Sequence, residues 1–310
     1  MMKVSIILPA YNEAQTIGAT IRAFHAALPS ADLWVINNNS TDNTEQIARN
    51  VLTELGATGG VIVEPRQGKG NAVRRAFHEV DADIYVMADA DLTYPAERIK
   101  DLIQPIIDGK ADMVVGDRHS EGHYQQENKR PLHNFGNRLV QSLVNRLFNA
   151  SLVDIMTGYR AFNSLFVKNY PILVEGFEIE TDMTLHALDK RFRIIEIPVE
   201  YRDRPKGSFS KLNTFSDGVK VIFTITRILR YYRPLAFFGS AAVIVGLAGL
   251  LAAIPVLDDW VRERYIYHVP LAILATGLEV VSVLMMAIGL ILDSITHQDK
   301  RAFERGLLNK

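Results

Sequence analysis

Ile84-Tyr85-Val86-Met87-Ala88-Asp89-Ala90-Asp91 is the stretch that decides the fold. Its opening residues are apolar and β-favouring, so it reads as a buried strand that ends in two carboxylates separated by one small residue. At the extended tip of a strand such a pair can turn carboxylate oxygens toward one divalent ion, and the intervening alanine leaves room for a diphosphate. An acidic turn after a strand would carry the same residues, so the surrounding chain must discriminate.

Upstream, strand and helix patterns alternate. Val4 to Leu8 predicts a strand, Pro9-Ala10-Tyr11-Asn12-Glu13 a loop, and Ala14 to Ala27 a helix. Leu33 to Ile36 is a second strand, ending in Asn37-Asn38-Asn39-Ser40-Thr41-Asp42, with a helix over Thr44 to Leu55 that Thr41 or Asp42 can cap. Val61 to Glu64 is a third strand, followed by Pro65-Arg66-Gln67-Gly68-Lys69-Gly70 and a helix from Asn71 to Val80. Such alternation predicts a mostly parallel sheet with helices on both faces and ligands at the carboxyl ends of the strands, where all these polar loops fall. Gly68-Lys69-Gly70 is not a dinucleotide fingerprint, since it follows the third strand and Val73 stands at the third glycine position. Lys69 is either a solvated turn lysine or, with Arg66 and a helix N-terminus beside it, a group facing a pyrophosphate.

Downstream the pattern predicts a helix over Ala96 to Ile107 and a strand over Asp112 to Val115, which runs into Gly116-Asp117-Arg118-His119. Apolar residues from Phe135 to Phe148 recur at helical spacing, fitting either a helix packed on the sheet or a surface that meets lipid. Asp154-Ile155-Met156-Thr157-Gly158-Tyr159-Arg160 is too polar at its ends for core, and its acid and base suggest a site loop. Acids at Glu178, Glu180 and Asp182 open a helix, where the helix dipole alone would explain them. Phe192 to Val199 predicts a strand, and Tyr201 to Lys211 a basic, hydroxyl-rich loop suited to phosphate or anionic headgroups.

In 310 residues, 34 Lys and Arg stand against 35 Asp and Glu, a balance that excludes a general nucleic-acid binder. Without cysteine, disulfides, thiolate metal sites and cysteine nucleophiles are excluded together. The N-terminus lacks the apolar core and cleavage site of a signal peptide. Leu235 to Leu257 carries no charge and, at about 1.5 Å per residue, is long enough for a hydrocarbon core of about 30 Å. Val269 to Leu292 reads as a second span, interrupted by Glu279, which should face protein or water and is expected to be a packing contact rather than part of a lipid-phosphate path. Ala242, Gly246, Gly249 and Ala253 share one face, which would let the second span or another subunit approach closely and leaves a homo-oligomer possible. Lys and Arg cluster outside the two spans, so the N-terminal domain and the C-terminus are expected in the cytoplasm, at the inner membrane. The expected organisation is a catalytic domain over 1–212, an amphipathic juxtamembrane helix over 213–233, a two-helix membrane region over 234–295 and a cytoplasmic tail over 296–310.

Taken together, Pro9 through Glu13, Asn39-Ser40-Thr41-Asp42, Gly68-Lys69-Gly70, Asp89-Ala90-Asp91 and Asp154 through Arg160 resemble family 2 glycosyltransferases of the GT-A fold. The later Asp203-Arg204 and Ser210-Lys211, followed by two spans, are similar to the polyprenyl-phosphate glycosyltransferases within that family. The resemblance implies inverting transfer of one sugar from a nucleotide diphosphate sugar to a polyprenyl phosphate, with Mg²⁺ or Mn²⁺ on the diphosphate. It implies that Pro9, Tyr11, Glu13, Asn38, Asp42 and Lys69 meet the nucleotide, and that Asp89 and Asp91 serve the ribose side and the metal. Arg118, Arg204, Ser210 and Lys211 would meet phosphates of donor or acceptor, and Asp154 with Arg160 would border the reacting centre.

Many relatives carry two aspartates where this chain has Asn37-Asn38, and Asn38 favours a UDP-sugar over a GDP-sugar because its amide can both accept from and donate to uracil. Thr93 stands where the dolichol-type enzymes often have glutamine near the metal. GDP-mannose remains an alternative donor. A processive polysaccharide synthase would carry a Gln-x-x-Arg-Trp motif, and neither Trp34 nor Trp260 sits in such a context. An inactive membrane scaffold would not require the charged residues at Asp89, Asp91, Asp154, Arg160 and Lys211.

Overall fold

The computed structural model describes residues 2–120, 131–176, 178–202 and 224–308, which fall into two compact units, Met1–Asp217 and Gly218–Lys310. In the first unit the strands are β1 (Val4–Ala10), β2 (Asp32–Asn37), β3 (Gly59–Val63), β4 (Ile84–Met87), β5 (Met113–Asp117), β6 (Arg160–Asn163) and β7 (Ile194–Pro198). They form one seven-stranded sheet in the order β3-β2-β1-β4-β6-β5-β7. All pairings are parallel except those of β6, which runs antiparallel to both β4 and β5.

The helices of this unit are α1 (Ile17–Ala27), α2 (Thr44–Leu55), α3 (Lys69–Glu79), α4 (Ile99–Ile107), α5 (Pro131–Phe148), α6 (Ser164–Asn169) and α7 (Ile179–Asp189). All four residues of β4 are buried, as expected for a central strand covered on both faces. Ile6, Leu8, Val35, Val86, Val114 and Ala161 join Ile17, Ile21, Phe24 and Leu102 in one core. At about 1.5–3 kcal/mol for each fully buried large aliphatic side chain, this layer fixes the register that aligns the strand ends. Val140 and Val144 of α5 are buried, so this helix has an ordinary packed face.

Register explains why the polar loops meet. Ala10 pairs with Asn37, Ile7 with Met87, and Met87 with Arg160, while Arg160 also pairs with Val115. The carboxyl ends of β1, β2, β4 and β5 therefore share one edge with the beginning of β6. Strand β6 was not expected from the sequence. Arg-Ala-Phe-Asn is short and opens on a charged residue, and only its two flanking strands make it a strand.

In the second unit, residues 224–232 are helical, followed by α8 (Pro234–Glu263) and α9 (Val269–Leu308). Both α8 and α9 are long and apolar enough to cross a membrane. Their outward residues, such as Ile244, Leu251, Ile273 and Val283, are exposed in the protein, as a lipid-facing surface requires. The polar residues between the two apolar stretches are only partly a loop, because α8 continues through Asp258, whose carboxylate pairs with Arg262 one turn on. The expected tail over 296–310 is likewise helical as far as Leu308, continuous with α9.

The small-residue face of α8 meets α9 of the same chain. A Cβ on Gly249 would lie 2.7 Å from Glu279 Oε1, and one on Gly246 would lie 2.9 Å from Ser282 Oγ. Ser282 donates a 2.8 Å hydrogen bond to the Ala242 carbonyl. Glu279 thus packs on glycine, as expected, and this stripe no longer argues for a second subunit.

Candidate active site

The loops after β1 and β2 are tied together by hydrogen bonds. The Thr41 amide donates to Asn12 Oδ1 at 2.8 Å, and the Asn12 amide donates to Ser40 Oγ at 3.0 Å. The Glu13 amide donates to Thr44 Oγ1 at 2.8 Å, and the Ala14 amide to Asp42 Oδ2 at 3.2 Å. Asp42 also accepts from the Thr44 amide at 3.0 Å at the start of α2. Partial burial opposes its charge, but these donors hold its carboxyl below the ordinary value. Asn12 and Asn39 both have left-handed backbones, with φ of 54° and 57°, a conformation asparagine tolerates better than most residues. Pro9, Tyr11 and Glu13 are half-buried along this edge.

Asn38 is buried and directed elsewhere. Its Nδ2 donates to the Arg66 carbonyl at 2.7 Å, while its Oδ1 accepts from the Gly68 amide at 2.7 Å. The amide therefore braces the loop after β3, and the expectation of a UDP-sugar, which stood on Asn38 alone, loses its support. Gly68 and Gly70 also have a different reason from phosphate approach. A Cβ on Gly70 would fall 2.1 Å from the Val174 carbonyl oxygen, one on Gly68 would fall 2.2 Å from that of Glu175, and the Gly70 amide donates to the Glu175 carbonyl at 2.9 Å. The segment before α7 crosses directly over the start of α3 and takes up the Gly70 amide.

Lys69 turns inward between two acids. Its Nζ is bonded to Asp89 Oδ1, at the end of β4, and to Glu180 Oε1, in the first turn of α7. Only 9% of its side chain is exposed, against 29% for Asp89 and 7% for Glu180. Burial opposes the ammonium charge, but Asp89 and Glu180 more than offset it and hold its pKa above the ordinary lysine value. Glu180, assigned only to the helix dipole from sequence, is thus part of the ionic centre. Asp91 is buried, and its Oδ1 accepts from Thr93 Oγ1 at 2.6 Å and from the Thr93 amide at 3.2 Å. Leu92 between them has φ of 64°, which bends the chain so that Thr93 can reach back.

The loop from Asp154 to Arg160 lies against this centre. A Cβ on Gly158 would fall 2.9 Å from both Asp89 Oδ2 and Lys69 Nζ. The Gly158 amide donates to the Tyr94 hydroxyl at 2.9 Å. Burial raises the Tyr94 pKa well above that of a free phenol, so the hydroxyl stays neutral. The acid and base that bound the loop do not pair with each other. Asp154 is bidentate to Arg118, with Nε to Oδ2 at 2.7 Å and the second contact at 3.0 Å. Burial would raise the Asp154 pKa, but Arg118 outweighs it and keeps the carboxyl below the usual range.

Arg160 requires a correction. It is fully buried, donating from Nε to the Thr157 carbonyl at 2.9 Å and from its terminal nitrogens to the Ile155 carbonyl at 2.8 Å and Thr184 Oγ1 at 2.9 Å. It clamps the loop from beneath and does not border a reacting centre. Arg204, Ser210 and Lys211 lie outside the described residues.

Comparison with known proteins identifies the family. The model of glycosyl transferase family 2 matches residues 5–170. The chain belongs to glycosyl transferase family 2. Glycosyltransferase AglJ of Haloferax volcanii is 29% identical over 97% of this chain and 96% of its own length. Dolichol-phosphate mannosyltransferase of Pyrococcus furiosus is 30% identical over 81% of this chain and 70% of its own. Glucosyl-3-phosphoglycerate synthase of M. tuberculosis superposes with a TM-score of 0.55 at 22% identity, covering 74% of this chain and 80% of that one, which bears on the fold alone. The GT-A fold expected from the sequence is therefore found, with Lys69, Asp89 and Glu180 at the carboxyl edge of its parallel strands.

A divalent ion at this edge is tested by the donor set. Among the described residues, no three His, Cys, Asp or Glu side chains group so as to hold a metal by themselves. Asp89 and Glu180 already share a cation, and Asp91 stands two residues from Asp89. Two carboxylates completed by phosphate oxygens and water is the usual setting for Mg²⁺, so these residues fit such an ion once a diphosphate is present.

Proposed function

We propose that this family 2 glycosyltransferase moves one hexose, with inversion, from a nucleoside diphosphate sugar to a polyprenyl phosphate. The observation that carries the reading is the ionic centre at the end of β4, in a chain that continues into an apolar helical hairpin. The name of the Pyrococcus furiosus relative, a dolichol-phosphate mannosyltransferase, supports the same acceptor class. An oxygen of the acceptor phosphate attacks the anomeric carbon while the bond from that carbon to the diphosphate breaks. The acceptor is already an anion near pH 7, so no strong general base is required.

Asp89 and Asp91 would hold Mg²⁺ or Mn²⁺, which when bound would offset the charge of the departing diphosphate. Thr93 orients Asp91, and Gly158 lets the Asp154 loop close against Asp89. Asp154 orients Arg118 rather than accepting a proton, since that arginine lowers its pKa and makes its carboxylate a weak base. Arg204, Ser210 and Lys211 are proposed to meet the acceptor phosphate. Both ends of the hairpin would face the cytoplasm, with the basic flanks inside.

The test is to incubate the full-length protein in lipid nanodiscs with undecaprenyl or dolichyl phosphate, Mg²⁺ or Mn²⁺, and a panel of UDP- and GDP-hexoses. Mass spectrometry should find one hexosyl phosphoryl polyprenol, and the donor that yields it identifies the base and sugar. Absence of product with every donor would favour a binding scaffold, and a polymeric product would favour a processive synthase.

A further inference from the structure

We propose that Lys69 is a resident cation that holds the metal-binding edge closed before the donor arrives, and that Glu180 is the positioning residue that receives it when Asp89 turns to the incoming ion. The inference rests on the reading of Asp89 as a metal ligand. One ammonium bridges Asp89 and Glu180, which come from β4 and α7, far apart in the chain. A divalent ion that draws on Asp89 Oδ1 therefore competes with Lys69 for that oxygen. Glu180 lets that release occur without stranding a buried ammonium, because it remains as a counterion.

The backbone around Lys69 is built to keep it in place. The segment before α7 lies over Gly68 and Gly70, with the Gly70 amide bonded to the Glu175 carbonyl, and the same segment leads directly to Glu180. Gly158 lies on the other side, where a Cβ would come within 2.9 Å of Asp89 Oδ2 and Lys69 Nζ and would press on both. Lysine suits this role better than arginine. A compact ammonium can leave one carboxylate and stay with the other through rotation of a flexible stem, whereas a planar fork bound to both would have to break a paired geometry.

The exchange predicts an order of events in which a divalent ion alone binds weakly, because it competes with Lys69 for Asp89. The diphosphate supplies the anion that makes the exchange favourable, so ion and donor should bind with positive coupling. Removing the ammonium should then strengthen binding of the ion in the absence of nucleotide.

The experiment titrates Mn²⁺ into full-length protein without nucleotide and follows free Mn²⁺ by electron paramagnetic resonance. The variants are Lys69→Met with Glu180→Gln, Glu180→Gln alone, and Asp89→Asn. The double variant removes one cation and one anion, so it keeps the wild-type net charge and leaves no unpaired buried carboxylate at position 180. It should bind Mn²⁺ on the order of ten-fold more tightly than wild type, because Asp89 is uncovered. Glu180→Gln alone should bind more weakly than wild type, because Lys69 then has only Asp89. Equal or weaker binding by the double variant, with binding lost in Asp89→Asn, would overturn the role of Lys69 while leaving Asp89 as a ligand. Unchanged binding in Asp89→Asn would instead overturn the metal reading itself.

Discussion

Arg118 and Arg160 bracket the same loop, yet their surroundings are opposite. Arg118 pairs in two places with a buried carboxylate, retains 11% of its side-chain exposure and lies 5.4 Å from the Tyr201 ring. Arg160 has no exposure, and its oxygen partners are two carbonyls and a hydroxyl. Burial accordingly pulls the Arg160 pKa down, with Glu180 and Asp154 only partly offsetting it. The first arginine is a charge held near the site edge, whereas the second is a scaffold that shapes the loop. A motif bounded by an acid and a base has thus been divided, its acid going outward to Arg118 and its base inward beneath the sheet edge.

The sharpest way to break this comparison is Arg160→Met. It removes the donor to the Thr157 carbonyl and leaves the Ile155 carbonyl only a 3.4 Å contact from Thr184 Oγ1, and it should cost about 3 kcal/mol of stability, seen as a lowered unfolding midpoint with activity falling in parallel. Lysine should restore only part, since one ammonium cannot reproduce the fork. An unchanged midpoint would mean that the loop does not need its clamp.

Gly158→Ala should do the reverse. The added Cβ would press on Asp89 and Lys69, so kcat/KM should fall by about ten- to a hundred-fold while the unfolding midpoint barely moves. Equal losses of stability and activity would show that the loop fails as a whole.

Asp154→Asn probes the outward half through pH. The folded-state pKa of Asp154 is depressed, so its contribution to stability is present above the unfolded pKa of about 3.9 and disappears as pH falls through the folded value. Wild type should therefore exceed the variant most at neutral pH, with the gap narrowing toward acid in thermal melts. A gap independent of pH would sever Asp154 from Arg118. The smallest effect is expected for Arg118→Lys, which keeps the charge but loses the two-point contact. About 1 kcal/mol of stability and a several-fold rise in KM would fit, as read by melts and steady-state kinetics.

Much of the architecture was legible because hydrophobic periodicity is a local property. The alternation from Val4 to Met87, the Asp89-Ala90-Asp91 terminus and the two long apolar helices were all visible without coordinates. Helix α2 was expected over the residues it occupies, and Asp42, one of the two caps the sequence offered, accepts from the Thr44 amide at its start. β6 was invisible, because a four-residue strand opening on arginine is made by its neighbours. Glu180 was seen but assigned to a helix dipole, since sequence carries no record of Lys69 lying across from it.

The sequence by itself determined which residue types stand at the strand ends, because each sits where a local apolar run stops. Tertiary structure alone decided their partners. It sent Asn38 to the loop after β3, Gly68 and Gly70 to the crossing segment, Arg160 into the interior and Lys69 between Asp89 and Glu180. The physical reason is that a buried charge or amide must find a partner wherever packing brings one within bonding distance, and that distance is set by the sheet register rather than by spacing along the chain.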